Sequence, residues 1–262
     1  MMLKFTFFSC LLLLTTSFFA QQNIEASAIM KNIKAGKSIS YQNATVIGVL
    51  DFTFMDDALE KSPKKKKNSW WNNGGSDNTI QKMIEVEISF ANCRFKDDVL
   101  AYIPDEDSGY TFTASFGDTV VFKNCKFEKK AMFKYSIFEK NADFSGTIFN
   151  DDSTFKYAKF DSNTSFLNTK FSETSTFKYA VFSKNVSFAD SVFEDSAIFK
   201  YTKFKNGVSF KNANFKEDLN IKYMEVSGDF NISKMKVGFE IDSKYTKING
   251  QSFNKNLLEN RR

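Results

Sequence analysis

Phenylalanine recurs in this chain at a spacing that alternates between five and six, standing at 122, 127, 133, 138, 144, 149, 155, 160, 166, 171, 177, 182, 188, 193, 199, 204, 210 and 215. A helix would scatter such positions around every side, because helical faces repeat at three and four residues. In an extended strand, residues i−2 and i share a face. Two positions before these phenylalanines stand small or β-branched side chains, among them Ala142, Thr147, Ser153, Ala158 and Thr164. Each pair therefore points inward together, and a bend must follow every pair. The composition agrees: 32 phenylalanines against two prolines is unlike an ordinary globular domain.

A longer period lies over the first. FKYSIF at 133–138 returns as FKYAKF at 155, FKYAVF at 177 and FKYTKF at 199, so the true repeat is the step from 133 to 155. Four inward phenylalanines per repeat imply a coil of four short sides. Stacking coils at the strand spacing of about 4.8 Å places Phe144, Phe166, Phe188 and Phe210 over one another, with backbone hydrogen bonds made between coils.

The segments ADFSG at 142–146, TIFND, AKFDS, TSFLN and AVFSK resemble the pentapeptide-repeat family, with one extra residue after every second pentapeptide. The resemblance covers residues 120–218 closely and most of the chain loosely. It implies an all-β fold, a right-handed quadrilateral parallel β-helix with one 22-residue repeat in each coil, and no single activity. Family members range from topoisomerase-binding DNA mimics to proteins of unknown role.

Phase-keeping extends the solenoid over 39–250. Steps of 22 from 199 and 204 reach Ile221 and Val226, then Ser243 and Ile248, while a step back from 138 reaches Phe116. Tyr41, Ala44, Val46 and Phe52 fit the same template near the start. Polar excursions are expected near 58–80 and, around Pro104, near 97–109. Ala26, Ile29, Met30 and Ile33 have helical spacing before Gly36, predicting a capping helix within 21–38, ahead of the first coil. Residues 251–262, with Phe253, Leu257 and Leu258, are expected to form a C-terminal cap or tail.

Lys4 followed by the apolar run Phe5–Leu14 and by Ala20 reads as a signal peptide over 1–20. Export to the periplasm, outer surface or medium is the expectation, with no transmembrane segment after cleavage. The chain contains no histidine, which removes Ser-His-Asp and Cys-His catalysis and histidine metal sites. A formal net charge of +5 is too mild for a dedicated nucleic-acid binder and of the wrong sign for a DNA mimic. No cofactor, no metal and no enzymatic activity are expected.

The 22-residue register puts Lys134, Lys156, Lys178 and Lys200 in one outward column beside Tyr135, Tyr157, Tyr179 and Tyr201, with Lys222, Tyr223, Lys244 and Tyr245 in line. Repeating ammonium groups concentrate anions and tyrosines offer flat faces, which together suit anionic or sugar polymers; the plain alternative is corner packing. Asp151, Glu173, Asp195 and Glu217 form an acidic column, either a Ca²⁺ ladder or a solvated face balancing nearby lysines. Cys93 and Cys125 fall on equivalent inward positions of successive coils, open to a strained disulfide or to two buried thiols. Lys64–Lys67 with Trp70 and Trp71 would suit an anionic membrane surface or a polar loop. The function expected is a non-catalytic exported scaffold for a protein or cell-envelope partner, with a homodimer through a solenoid end open to it. The alternative is a binding module for anionic polysaccharide or lipopolysaccharide.

Overall fold

The computed structural model describes residues 22–61 and 78–254. The signal segment 1–20, Lys64–Lys67, Trp70, Trp71, Leu257 and Leu258 lie outside the described residues.

Short parallel strands build four sheets of eight, nine, eight and ten strands, one on each side of the solenoid. In chain order a coil visits the first face (Ala142–Asp143), the second (Ile148–Phe149), the third (Ser153–Thr154) and the fourth (Lys159–Phe160). Each strand pairs with its equivalent one repeat away, as Phe149 with Phe171 and Phe160 with Phe182. The fold is thus the quadrilateral parallel β-helix that the phenylalanine rhythm requires.

The core is four columns of rings. Phe144, Phe166, Phe188 and Phe210 stack with centroids 5.0, 4.9 and 5.3 Å apart. The column facing them, Phe133, Phe155, Phe177 and Phe199, keeps 5.3, 5.0 and 4.9 Å. Between the two columns the contacts are edge to face, such as Phe155 to Phe166 at 5.2 Å and Phe166 to Phe177 at 5.3 Å. Both arrangements suit the ring quadrupole, so stacking along the axis and edge contacts across it satisfy every inner ring at once. Small inward residues leave room for this herringbone, and several of their hydroxyls find partners within it. Thr169 donates to Phe144 O at 2.9 Å and Thr202 to Phe177 O at 2.8 Å, each bonding into the preceding coil.

The first two coils are oversized. Ile39 pairs with Ile88 and Ile88 with Val120, offsets of 49 and 32, whereas Val120 pairs with Ala142 at the regular 22. Both excursions leave at the same corner, between the third and fourth faces. In the second of these coils Leu100 pairs with Met132 and Phe116 with Phe138, so the register returns to the regular offset between residues 100 and 116. This corrects the expected loop at 97–109. Val99–Leu100 remains in the ladder, and the excess forms a hairpin in which Tyr102–Asp105 runs antiparallel to Tyr110–Phe116. Asp105 accepts from the Ser108 amide at 3.1 Å, a turn that DSG at 107–109 could have announced. In the first coil the excursion opens with α2, Met55–Lys61, and closes with Thr79–Ile84, which pairs with Thr111–Phe116.

Helix α1 spans Ala26–Lys34 and buries Ala26, Ile29 and Ile33. A strand precedes it: Gln22–Glu25 pairs with Ala44–Ile47 at the regular offset, with Ile24 opposite Val46. The helix therefore follows a second-face strand instead of preceding the first coil, and it packs against Leu50–Asp51 and Ile39–Gln42. The reason is that Ile24 already keeps solenoid phase. At the other end, Gln251–Ser252 turns back antiparallel on Lys247–Ile248 and Phe253 meets Phe230 edge-on at 5.9 Å.

Candidate functional site

The third-to-fourth corner gathers all eight residues that the 22-residue register singled out. In each coil a tight turn is closed by a backbone bond such as Ala158 N–H to Phe155 O at 3.0 Å, with Lys156 and Tyr157 at its centre. The tyrosine sits in the left-handed region: φ is 65° at Tyr135, 61° at Tyr157, 62° at Tyr179 and 60° at Tyr201. A type II turn demands positive φ at its third position and normally takes glycine or asparagine there. The first-to-second corner follows that rule, with Asn124, Gly146, Asn168, Asp190 and Asn212 at positive φ. A bulky side chain in this region costs on the order of 1–2 kcal/mol. Stacking offsets the cost here. Rings from Tyr135 to Tyr245 form a six-rung ladder with centroids 4.9, 4.7, 4.7, 4.5 and 4.8 Å apart. The turns also bond between coils, since Tyr157 N–H donates to Lys178 O at 3.0 Å and Tyr179 N–H to Lys200 O at 3.1 Å.

The ladder corrects one expectation. Inner rings have neighbours on both faces, so the flat faces anticipated for sugar stacking are already used. The two end rungs are the most exposed, Tyr135 at 42% and Tyr245 at 57%. Burial first, then the adjacent Tyr223 and Tyr179, raise the Tyr201 pKa.

Each lysine lies along its own tyrosine, with Nζ 4.9–5.8 Å from the ring centroid. None of the six column lysines has a carboxylate within ion-pair distance among the described residues. Burial, then Lys134 and Lys178, hold the Lys156 pKa below the usual lysine value. Ion pairs occur elsewhere on the surface: Glu194 bridges Lys170 at 3.0 Å and Lys216 at 2.6 Å across the second face.

The register missed the residue that ends this column. Tyr102, at the base of the hairpin, tilts over Tyr135 at 5.9 Å, and Lys134 Nζ donates to its hydroxyl at 2.9 Å. Counting back by 22 from Tyr135 reaches Thr113, so only the ten-residue excess of the second coil brings Tyr102 here.

Two of the four carboxylates in the acidic column, Asp195 and Asp151, accept hydrogen bonds from nearby groups. Asp195 accepts from Thr174 Oγ1 at 3.0 Å and from the Ser196 amide at 2.6 Å, and Asp151 from the Asp152 amide at 2.7 Å. Among the described residues no cluster of three His, Cys, Asp or Glu side chains could hold a metal ion. Cys93 and Cys125 are buried, unbonded thiols. Cys93 Sγ donates to Ala91 O at 3.3 Å and Cys125 Sγ to Phe90 O at 3.4 Å. Hydrogen bonding to Cys93 and then burial push the Cys125 pKa up, so that thiol stays protonated. In a chain beginning at Gln21, which lacks Cys10, both thiols should resist an aromatic disulfide reagent until denaturant is added, when two should titrate; none titrating would establish a disulfide.

Among the described residues no helix is long and apolar enough to cross a membrane. Neither a curated protein nor a solved structure matches the chain. The family model for pentapeptide repeats matches it in nine copies, over residues 112–159 and 177–223. Those copies are pentapeptide repeats, and the residues they cover lie within the four-sided parallel β-helix described above.

Proposed function

We propose that the protein is an exported, non-catalytic scaffold that presents its outer faces to a protein or cell-envelope partner. The observation that carries this reading is the interior: four phenylalanine columns fill the coil, so recognition is left to a rigid outer surface. Hydrolytic chemistry needs a cleft that sets two titratable groups in different environments, and convex corners offer none. Export is tested by expressing the full chain and determining the mature N-terminus by mass spectrometry. Cleavage after Ala20, leaving Gln21 first, is the expected outcome. An intact Met1 in the cytoplasmic fraction would remove the export half of the proposal.

A second reading is favoured by the lysine column. Ammonium groups repeating at the coil rise, without carboxylate partners among the described residues, suit an extended polyanion such as acidic polysaccharide or lipopolysaccharide. Such binding falls as salt screens the charges.

A further inference from the structure

We infer that the tyrosine ladder is a site of oxidative cross-linking, where a peroxidase consuming hydrogen peroxide joins the rings of adjacent coils as dityrosine. The inference goes beyond the scaffold reading and needs no ligand on the lysines.

Seven of the nine tyrosines meet at this corner, Tyr102 and the six rungs from Tyr135 to Tyr245. The other two lie against phenylalanine, Tyr41 on Phe90 at 5.8 Å and Tyr110 on Phe112 at 6.3 Å. Rungs are 4.5–4.9 Å apart, and the pairs from Tyr135 to Tyr223 are within 10° of parallel. One coil maps onto the next by a shift along the axis, so equivalent ring carbons stand about as far apart as the centroids. The phenylalanine columns are spaced alike but carry no hydroxyl and form no phenoxyl radical. Tyr102, tilted at 51° and 5.9 Å from Tyr135, lacks the parallel approach.

Hydrogen peroxide takes one hydrogen atom from the hydroxyl of each of two tyrosines and leaves as two waters. The exposed end rungs, Tyr135 and Tyr245, are where an oxidant meets the ladder most readily. A phenoxyl radical there takes a hydrogen atom from the hydroxyl of the next rung, an exchange between like groups that moves the radical inward. Two radicals on neighbouring rungs then couple through their facing π surfaces. One C–C bond forms between carbons ortho to the oxygens, both ortho C–H bonds break, and those protons return to the oxygens, restoring two phenols. Inter-coil bonds such as Tyr157 N–H to Lys178 O at 3.0 Å hold the rungs in register beforehand, so coupling joins residues of one chain. Each link closes a loop of one repeat and constrains the unfolded chain as a disulfide does.

The test treats the dilute protein with a haem peroxidase and hydrogen peroxide, and reads dityrosine fluorescence, denaturing electrophoresis and cross-linked peptides by mass spectrometry. The comparison is Y179F, which keeps a stacking ring and removes the hydroxyl. Wild type should gain dityrosine while remaining monomeric, with links between neighbouring rungs and a raised melting temperature. Six rungs couple in at most three pairs; Y179F divides the ladder into two rungs and three, so at most two pairs form and no link reaches residue 179. Links made mainly between chains, links using Tyr41 or Tyr110 as often as the rungs, an equal yield from urea-unfolded protein, or no dityrosine would each overturn the inference.

Discussion

Replacing Phe166 by alanine should lower the unfolding free energy by about 3–5 kcal/mol, the range for deleting a fully buried aromatic side chain. The ring is wholly inaccessible to solvent, stacks on Phe144 at 5.0 Å and Phe188 at 4.9 Å, and meets Phe155 and Phe177 edge-on at 5.2 and 5.3 Å. Collapse of the cavity is opposed by the neighbouring coils, whose backbones are fixed by hydrogen bonds above and below it. Lys156→Ala, at the corner, should change stability by less than about 0.5 kcal/mol. Urea unfolding of the two variants beside wild type checks this. Equal destabilisation would mean that the phenylalanine columns do not form the core.

The second large effect concerns Tyr179. Its ring stacks on Tyr157 at 4.7 Å and on Tyr201 at 4.7 Å, and each such pair is worth about 0.5–1.5 kcal/mol beyond buried area. Tyr179→Ala should therefore cost about 1–3 kcal/mol, since it removes both stacks and keeps a Cβ in the left-handed conformation. Tyr179→Gly loses the same stacks but sheds the left-handed penalty, and should be the more stable of the two by about 1 kcal/mol. A higher melting temperature for the alanine variant would show that φ of 62° at this corner stores no strain.

Much of the fold was legible because the side-chain period is so regular. Inward phenylalanines, their small partners and the 22-residue return locate every regular coil from Val120 onward. What escaped the sequence lies where residues were inserted. Tyr102 heads the ladder only through the ten-residue excess of its coil, and no fixed period predicts an insertion's length. The hairpin around Pro104 was hidden because acids and a proline suggest a loop, although Val99 beside it keeps the small inward position opposite Ala131. Helix α1 was visible in its apolar spacing, but the strand before it was not, since Ile24 alone marks that coil. At the candidate site the sequence supplied the column and not its chemistry. That tyrosine would occupy a glycine-type turn position, and thereby consume its own ring faces, follows from φ values that residue spacing does not reveal.

The hydrogen-bond ladders of all four sheets run along the solenoid axis, from coil to coil, with none of the main ladders closing within a coil. Tension along that axis therefore loads the ladders together, in parallel at every level and in series along the length, so the rod yields at its weakest level and peels from there. The C-terminal levels are the weaker ones: phenylalanine gives way to Ile232, Val237 and Ile248, and Phe239 is 65% exposed. A partner gripping the protein near Tyr245 would pull on coils that unwind singly, whereas one seated over Lys156–Lys200 would hold the stretch where aromatic stacking is unbroken above and below.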